Sequence, residues 1–117
     1  MPNSTINPLV SIIIPTRKRP VCAESLLSDL SKQTEDFEVI LFNDEQDPET
    51  EKLAKQEWPF PVKYLYSQSR FNSCVSRNLC LKEAAGKYII FLDDDVRVSQ
   101  DFLNQVLQTF QKFDIFS

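Results

Sequence analysis

Tyr88-Ile-Ile-Phe-Leu-Asp-Asp-Asp-Val96 is an unbroken apolar run that stops at three consecutive carboxylates. The run does not alternate, so it reads as a strand buried on both faces of a parallel sheet rather than a half-solvated antiparallel one. Asp93, Asp94 and Asp95 then stand at that strand's exit, where the only nearby neutralising residue in sequence is Arg97. A polar turn uses one Asp as a cap. Three mutually repelling acids exceed that need and point to a nucleotide or to a hard cation such as Mg²⁺, which takes carboxylate oxygens.

The same grammar recurs upstream. Leu-Val-Ser-Ile-Ile-Ile at 9–14 is β-branched and nearly all apolar, a central strand expected to end at Pro15, which cannot donate to a ladder. Residues 37–42 form a second buried strand running into Asn43-Asp44-Glu45, and 62–66 alternate more and read as an outer strand. Between these lie helices. Pro20 opens one that carries Ala23, Leu26, Leu27 and Leu30 at helical spacing to about Lys32. Asp47-Pro48 starts a short one to about Glu57, with Glu49 and Glu51 in its first turn and Lys52 and Lys55 beyond.

Asn72 or Ser73 caps a third helix, with Val75, Asn78, Leu79 and Lys82 on one stripe and Gly86 expected as its left-handed terminator. Ser99 is the expected cap of a fourth, whose apolar face is Phe102, Leu103, Val106, Leu107 and Phe110. Residues 113–116 look like a further strand beginning. Residues 1–8 read as a frayed tail, and 9–117 as one unit.

A chain of 117 residues suits one domain with a modest core. Its 13 basic and 17 acidic residues are mostly scattered, which argues against a nucleic-acid surface. No apolar run approaches the ~18 residues that span a bilayer, and no signal-like start is present, so the chain reads as cytoplasmic, with peripheral membrane association of a longer protein left open. Cys22, Cys74 and Cys80 have no metal-ligand spacing and read as buried free thiols; without histidine, neither a thiol-imidazole pair nor a Ser-His-Asp triad can be built.

Regular alternation of strand and helix means a parallel sheet covered on both faces, a three-layer α/β/α sandwich with expected strand order 3-2-1-4. Ligands of such sheets sit outside the carboxyl ends of the strands, where the winding reverses. The unusual polar residues fall on that edge, beside Pro15: Thr16 and Arg17 after the first strand, Asp44 after the second, Arg70 and Asn72 after the third, Asp93 to Asp95 after the fourth. Neither G-x-G-x-x-G nor a P-loop is present to cradle phosphate. A Mg²⁺ or Mn²⁺ ion on the acid cluster would do that work, cancelling charge on a diphosphate and stabilising its departure. The inferred ligand is a nucleotide bearing a diphosphate.

Val10-Ser-Ile-Ile-Ile-Pro-Thr-Arg-Lys-Arg19, Phe37-Glu-Val-Ile-Leu-Phe-Asn-Asp44, Ser76-Arg-Asn78 and Gly86-Lys-Tyr-Ile-Ile-Phe-Leu-Asp-Asp-Asp95, in this order, resemble the family-2 glycosyltransferases with the GT-A fold. The resemblance implies a Rossmann-like nucleotide-diphospho-sugar transferase, truncated to its donor-binding half, with the acceptor-binding half and catalytic base expected beyond Ser117. It implies a UDP-, GDP- or dTDP-sugar donor, a glycan, lipid-linked or other hydroxyl acceptor, an inverting reaction in the whole enzyme and a role in polysaccharide biosynthesis. Asp44 would bind the base, with Thr16 and Arg17 bordering it. Asp93 and Asp95 would be the acids of the D-x-D motif, Asp93 toward the ribose and Asp95 toward the metal. Arg77 and Asn78 match an Arg-Asn pair that shapes the pocket.

The chain departs from the family where Arg17 replaces Tyr, where Asn43-Asp-Glu-Gln46 replaces Asp-Asp-Gly-Ser, and where Cys80 stands among replaced glycines. The bland readings are that Asp44 satisfies turn amides, that Lys18 and Arg19 are solvated, and that Arg77 pairs with Glu83 or Asp44. Competing functions are a sugar nucleotidyltransferase, which would want a glycine-rich loop after the first strand; a receiver-like domain, which would want acids there; and a non-catalytic nucleotide-binding fragment. An open sheet edge is expected to leave apolar surface and favour self-association.

Overall fold

The computed structural model describes residues 8–68 and 73–114. The elements are β1 (Val10–Thr16), α1 (Pro20–Leu30), β2 (Phe37–Asn43), α2 (Pro48–Ala54), β3 (Val62–Tyr66), α3 (Ser73–Glu83), β4 (Tyr88–Phe91) and α4 (Phe102–Asp114). All strand pairings are parallel and the order is β3-β2-β1-β4, as the alternation predicts. Of the expected tail only Pro8 is described, and it is buried.

Period two on the strands divides the core into two layers. Val10, Ile12, Ile14, Val39 and Leu41 face α1, α2 and α4, meeting Leu26, Leu27, Leu30, Leu53, Leu103 and Leu107. Ile13, Ile40 and Phe42 face the opposite way, onto Cys80 of α3. Both central strands are covered on both faces, which is why β1 and β2 read as continuous apolar runs.

Several expectations give way. β1 runs through Pro15 to Thr16. The carbonyls of Leu9 and Ile13 accept from β4 and its exit, whereas that of Thr16 accepts from Asp44. Pro15 shares the β4-facing parity, and β4 ends at Phe91, level with Ile13. Its missing donor therefore costs no ladder bond. β4 itself is an edge strand, half-buried, with Phe91 43% exposed, because among the described residues nothing pairs beyond it.

α2 ends three residues early, where the indole N–H of Trp58 takes the Leu53 carbonyl at 3.0 Å. On α3 the expected stripe faces out, with Val75 and Leu79 exposed; the small residues Cys80 and Ala84 meet the sheet and let the helix approach closely. Residues 113 and 114 close α4 instead of opening a strand, since no Gly or Pro interrupts the helical period. Ile115 and Phe116 lie outside the described residues.

Gly86 has no positive φ. A Cβ there would lie 2.5 Å from the Ser11 amide nitrogen and 2.7 Å from the Val10 carbonyl carbon, so glycine is required by close approach to β1. Its N–H donates to the Ser11 hydroxyl at 2.8 Å. Nearby, burial pushes the Glu38 carboxyl up, but donors from Ala85, Ser11 and Lys63 more than offset it and leave the group below its usual range. No described helix is long and apolar enough to cross a membrane.

Candidate functional site

The register places the site. Thr16 is level with Asn43, and Asn43 with Tyr66, so one residue further on Arg17, Asp44 and Ser67 share a row. β4 stops level with Ile13, and the same offset carried forward brings Asp94 level with Thr16. There the Thr16 hydroxyl donates to Asp94 Oδ2 at 2.8 Å. A cavity of about 440 Å³ opens over this row, lined by Pro15, Thr16, Arg17, Arg19, Asp44, Asp93 and Asp94. It lies where the winding reverses between β1 and β4.

The three acids do not act alike. A turn closed by the Val96 N–H on the Asp93 carbonyl leaves Asp93 and Asp95 exposed and turns Asp94 inward. Asp94 is 1% exposed; besides Thr16 it meets the Arg19 guanidinium, 3.0 Å from Oδ1, although that oxygen accepts no well-aligned hydrogen bond. Arg19 also stands 3.9 Å from Asp95. The cation that neutralises the cluster is thus Arg19, expected to be solvated. Arg97 turns away and grips Asp29 on α1 through Nε at 2.7 Å and Nη2 at 2.9 Å, while the Val98 N–H donates to the same carboxylate. These bonds hold Asp29 below the usual carboxylate range, the Arg97 hydrogen bond contributing most and burial opposing.

Further along, Gln33 stands in for the expected Ser99 cap: its Oε1 accepts from the Leu103 N–H at 3.0 Å and its amide donates to the Ser99 carbonyl at 2.7 Å. The Ser99 hydroxyl donates to Asp101 instead. The chain leaving the acid turn is therefore fastened to the end of α1.

Glu45 at the β2 exit has φ 85° and Lys18 at the β1 exit has φ 53°, both left-handed without being glycine. Arg17 Nη2 reaches Glu45 Oε1 at 2.8 Å, and Lys18 lies 3.7 Å from the same oxygen. Arg17 Nε is buried with no hydrogen-bond partner beside the cavity it lines. Arg77 stacks over the exposed Phe91 ring, 5.5 Å from its centroid, rather than pairing with Glu83 or Asp44, and it does not line the cavity. Asn78 is exposed. Arg70 and Asn72 lie outside the described residues.

Residues 11–116 match the profile of glycosyl transferase family 2. The chain belongs to this family. The succinoglycan biosynthesis protein ExoM of Rhizobium meliloti is 32% identical over 115 residues, covering 93% of this chain and 36% of that protein. Staphylococcus aureus TarS, solved with UDP-GlcNAc, matches with a TM-score of 0.75 at 23% identity over 91% of this chain and 32% of its own. The mannosyltransferase PcManGT of Pyrobaculum calidifontis, solved with GDP-Man and Mn²⁺, matches with a TM-score of 0.76 at 20% identity over 92% and 34%. At such identities these structures establish the GT-A fold. The family-2 chain spans about a third of the length of these relatives.

Within this family-2 chain, two of the departures noted in the sequence, at Arg17 and at Glu45, fall together in space, whereas Cys80 is packed under α3. Glu45 stands where the family tends to carry Gly, in a backbone conformation that suits Gly, and the ion pair that holds it comes from Arg17, the other departure.

No three described Asp, Glu or Cys side chains converge to hold an ion unaided. Of the two exposed carboxylates that flank the buried one, Asp93 lines the cavity and Asp95 does not; a hard cation such as Mg²⁺ or Mn²⁺ takes one or two carboxylates and completes its shell with water and phosphate oxygens. Asp93 and Asp95 are the residues available for this. Cys80 is excluded as a nucleophile, since burial pushes its thiol up to about 11. Sequence reasoning missed Ser67, Arg19 and Glu45 as site neighbours; strand register, once known, would have found Ser67.

Proposed function

We propose that the chain is the donor-binding part of a glycosyltransferase that moves a hexosyl group from a nucleoside-diphosphate sugar to an acceptor hydroxyl. The observation that carries this reading is the single cavity shared by Arg17, Asp44, Asp93 and Asp94, from three separate strand exits. Asp44, level with Arg17, would take the base, and Asp93 the ribose. Asp93 and Asp95 would hold Mn²⁺ or Mg²⁺, which when bound supplies positive charge to the leaving diphosphate. Arg17 and Arg19 bring fixed positive charge to the same cavity.

The acceptor oxygen would bond to the anomeric carbon as the carbon–phosphate-oxygen bond breaks. The bonding pair leaves with the diphosphate, and the hydroxyl proton passes to a base in the remaining two thirds of a relative-sized protein, with inversion. The donors of the structural neighbours, UDP-GlcNAc and GDP-Man, support this ligand class, and the Mn²⁺ of one supports the metal. ExoM, a succinoglycan biosynthesis protein, supports a polysaccharide product. The free thiols Cys22 and Cys80 support a reducing, cytoplasmic compartment.

The test is calorimetric titration with UDP, GDP and dTDP, with and without Mn²⁺. Binding of one of them, strengthened by Mn²⁺ and weakened in Asp44→Ala, is expected. Absence of binding by every nucleotide would sink the reading.

A further inference from the structure

Ser67, the residue immediately after β3, is 4% exposed and touches every residue of the β2 exit. Its N–H donates to the Asn43 carbonyl at 3.1 Å, and its carbonyl accepts from the Gln46 N–H at 2.9 Å. Its hydroxyl accepts from the Glu45 N–H at 3.0 Å and donates to Asp44 Oδ1 at 3.3 Å. A hydroxyl has one proton. With a backbone N–H occupying a lone pair, the remaining proton is directed at the Asp44 carboxylate. The Ser67 side chain thus bonds both the loop and the carboxylate, and the loop includes the left-handed Glu45 whose carboxylate Arg17 holds.

The geometry points to Ser67 as the positioning residue for nucleotide-base recognition: it fixes the Asp44 carboxylate at the cavity wall so that it meets a ring N–H of the base. The inference rests on the nucleotide-sugar reading above. Ser67 itself does not line the cavity, so it acts through Asp44. Neither the apolar runs nor the resemblance singles it out.

The main-chain bonds of residue 67 survive replacement of its side chain, so Ser67→Ala removes only the hydroxyl. UDP, GDP and dTDP are titrated into the 117-residue chain, into Ser67→Ala, into Asp44→Ala and into the double variant, up to millimolar nucleotide, with urea unfolding run on each. The expected result is a loss of about fivefold in affinity for the preferred nucleotide in Ser67→Ala. In the Asp44→Ala background the same change should alter affinity less than about twofold. A purely structural role would move the urea midpoint and persist without Asp44.

Ser67→Cys, nearly isosteric with a weak donor, keeps the test open if Ser67→Ala unfolds; its affinity should also fall. Unchanged affinity in either variant overturns the inference and leaves the proposed function standing. A loss of equal size in the Asp44→Ala background overturns it too. Binding of none of the three nucleotides by the wild-type chain overturns both.

Discussion

Replacing Asp93, Asp94 and Asp95 one at a time by alanine should separate stability from binding within three adjacent, chemically identical residues. Asp94 is 1% exposed and accepts from Thr16, itself 4% exposed, so its loss strands a buried hydroxyl. A stranded buried donor costs ~1–3 kcal/mol. The small void left by the carboxylate group adds to this, ~1 kcal/mol at most. Arg19, with its side chain 55% exposed, rehydrates at little cost. Removing the buried charge returns part of its own desolvation cost, which pulls the sum back to about 2 kcal/mol. In a domain of this size that is a fall in Tm of roughly 10 °C.

Asp93 and Asp95 are exposed, and their removal relieves repulsion within the cluster, so each should stay within about 0.5 kcal/mol of wild type. Binding should rank the other way: Asp95→Ala and Asp93→Ala lose the Mn²⁺-dependent gain in nucleotide affinity, while Asp94→Ala, measured below its lowered Tm, retains part of it. Urea unfolding and calorimetric titration read the two rankings. Equal destabilisation by all three variants, or a Mn²⁺ effect untouched by Asp95→Ala, would refute this division of labour.

Glu45 offers a second comparison. Both Glu45→Ala and Glu45→Gly lose the ion pair to Arg17, but only glycine relieves φ 85°, so the glycine variant should be the more stable by about 1 kcal/mol in urea unfolding. Gly86→Ala should destabilise by about 2–3 kcal/mol, since the new methyl meets backbone of β1 rather than a yielding side chain; a shift in midpoint equivalent to less than 0.5 kcal/mol, by the scale of ordinary surface changes, would contradict the close approach. The Asp29–Arg97 pair should show in acid. Because Asp29 titrates below its unfolded range, the pair's stabilisation is present above the unfolded pKa of about 4 and is lost as pH falls through the folded value. The stability gap between wild type and Arg97→Met should therefore close on acidification, and a gap constant from neutral pH to pH ~2 would count against the pair.

What the sequence exposes is the pattern of side chains that need burial; what it conceals is which surface does the burying. The runs in β1 and β2 name a parallel sheet because central strands are the only place where residues such as Ile12, Ile13 and Ile14 can all be buried, and they are. The run in β4 looks the same on paper, yet Phe91 is exposed, since an apolar run records a demand for cover and not its supply. The α3 stripe misleads for a related reason. Close packing there favours the small Cys80 and Ala84 over Val75 and Leu79, and volume as well as hydrophobicity decides which face turns inward.

Charge pairing is hidden more deeply. Arg97 is two residues from Asp95 in the chain but spends its guanidinium on Asp29, 68 residues away, while Arg19 crosses from the β1 loop to Asp94. Such pairings follow from register, and register is set by where each strand stops. Three adjacent aspartates can therefore be singled out as a candidate site from sequence, but the inward one is identified only by β4 ending level with Ile13, which puts Asp94 and not Asp93 or Asp95 opposite Thr16. The same reasoning makes the division between a structural Asp94 and its two solvent-facing neighbours a property of the sheet, fixed before any ligand arrives.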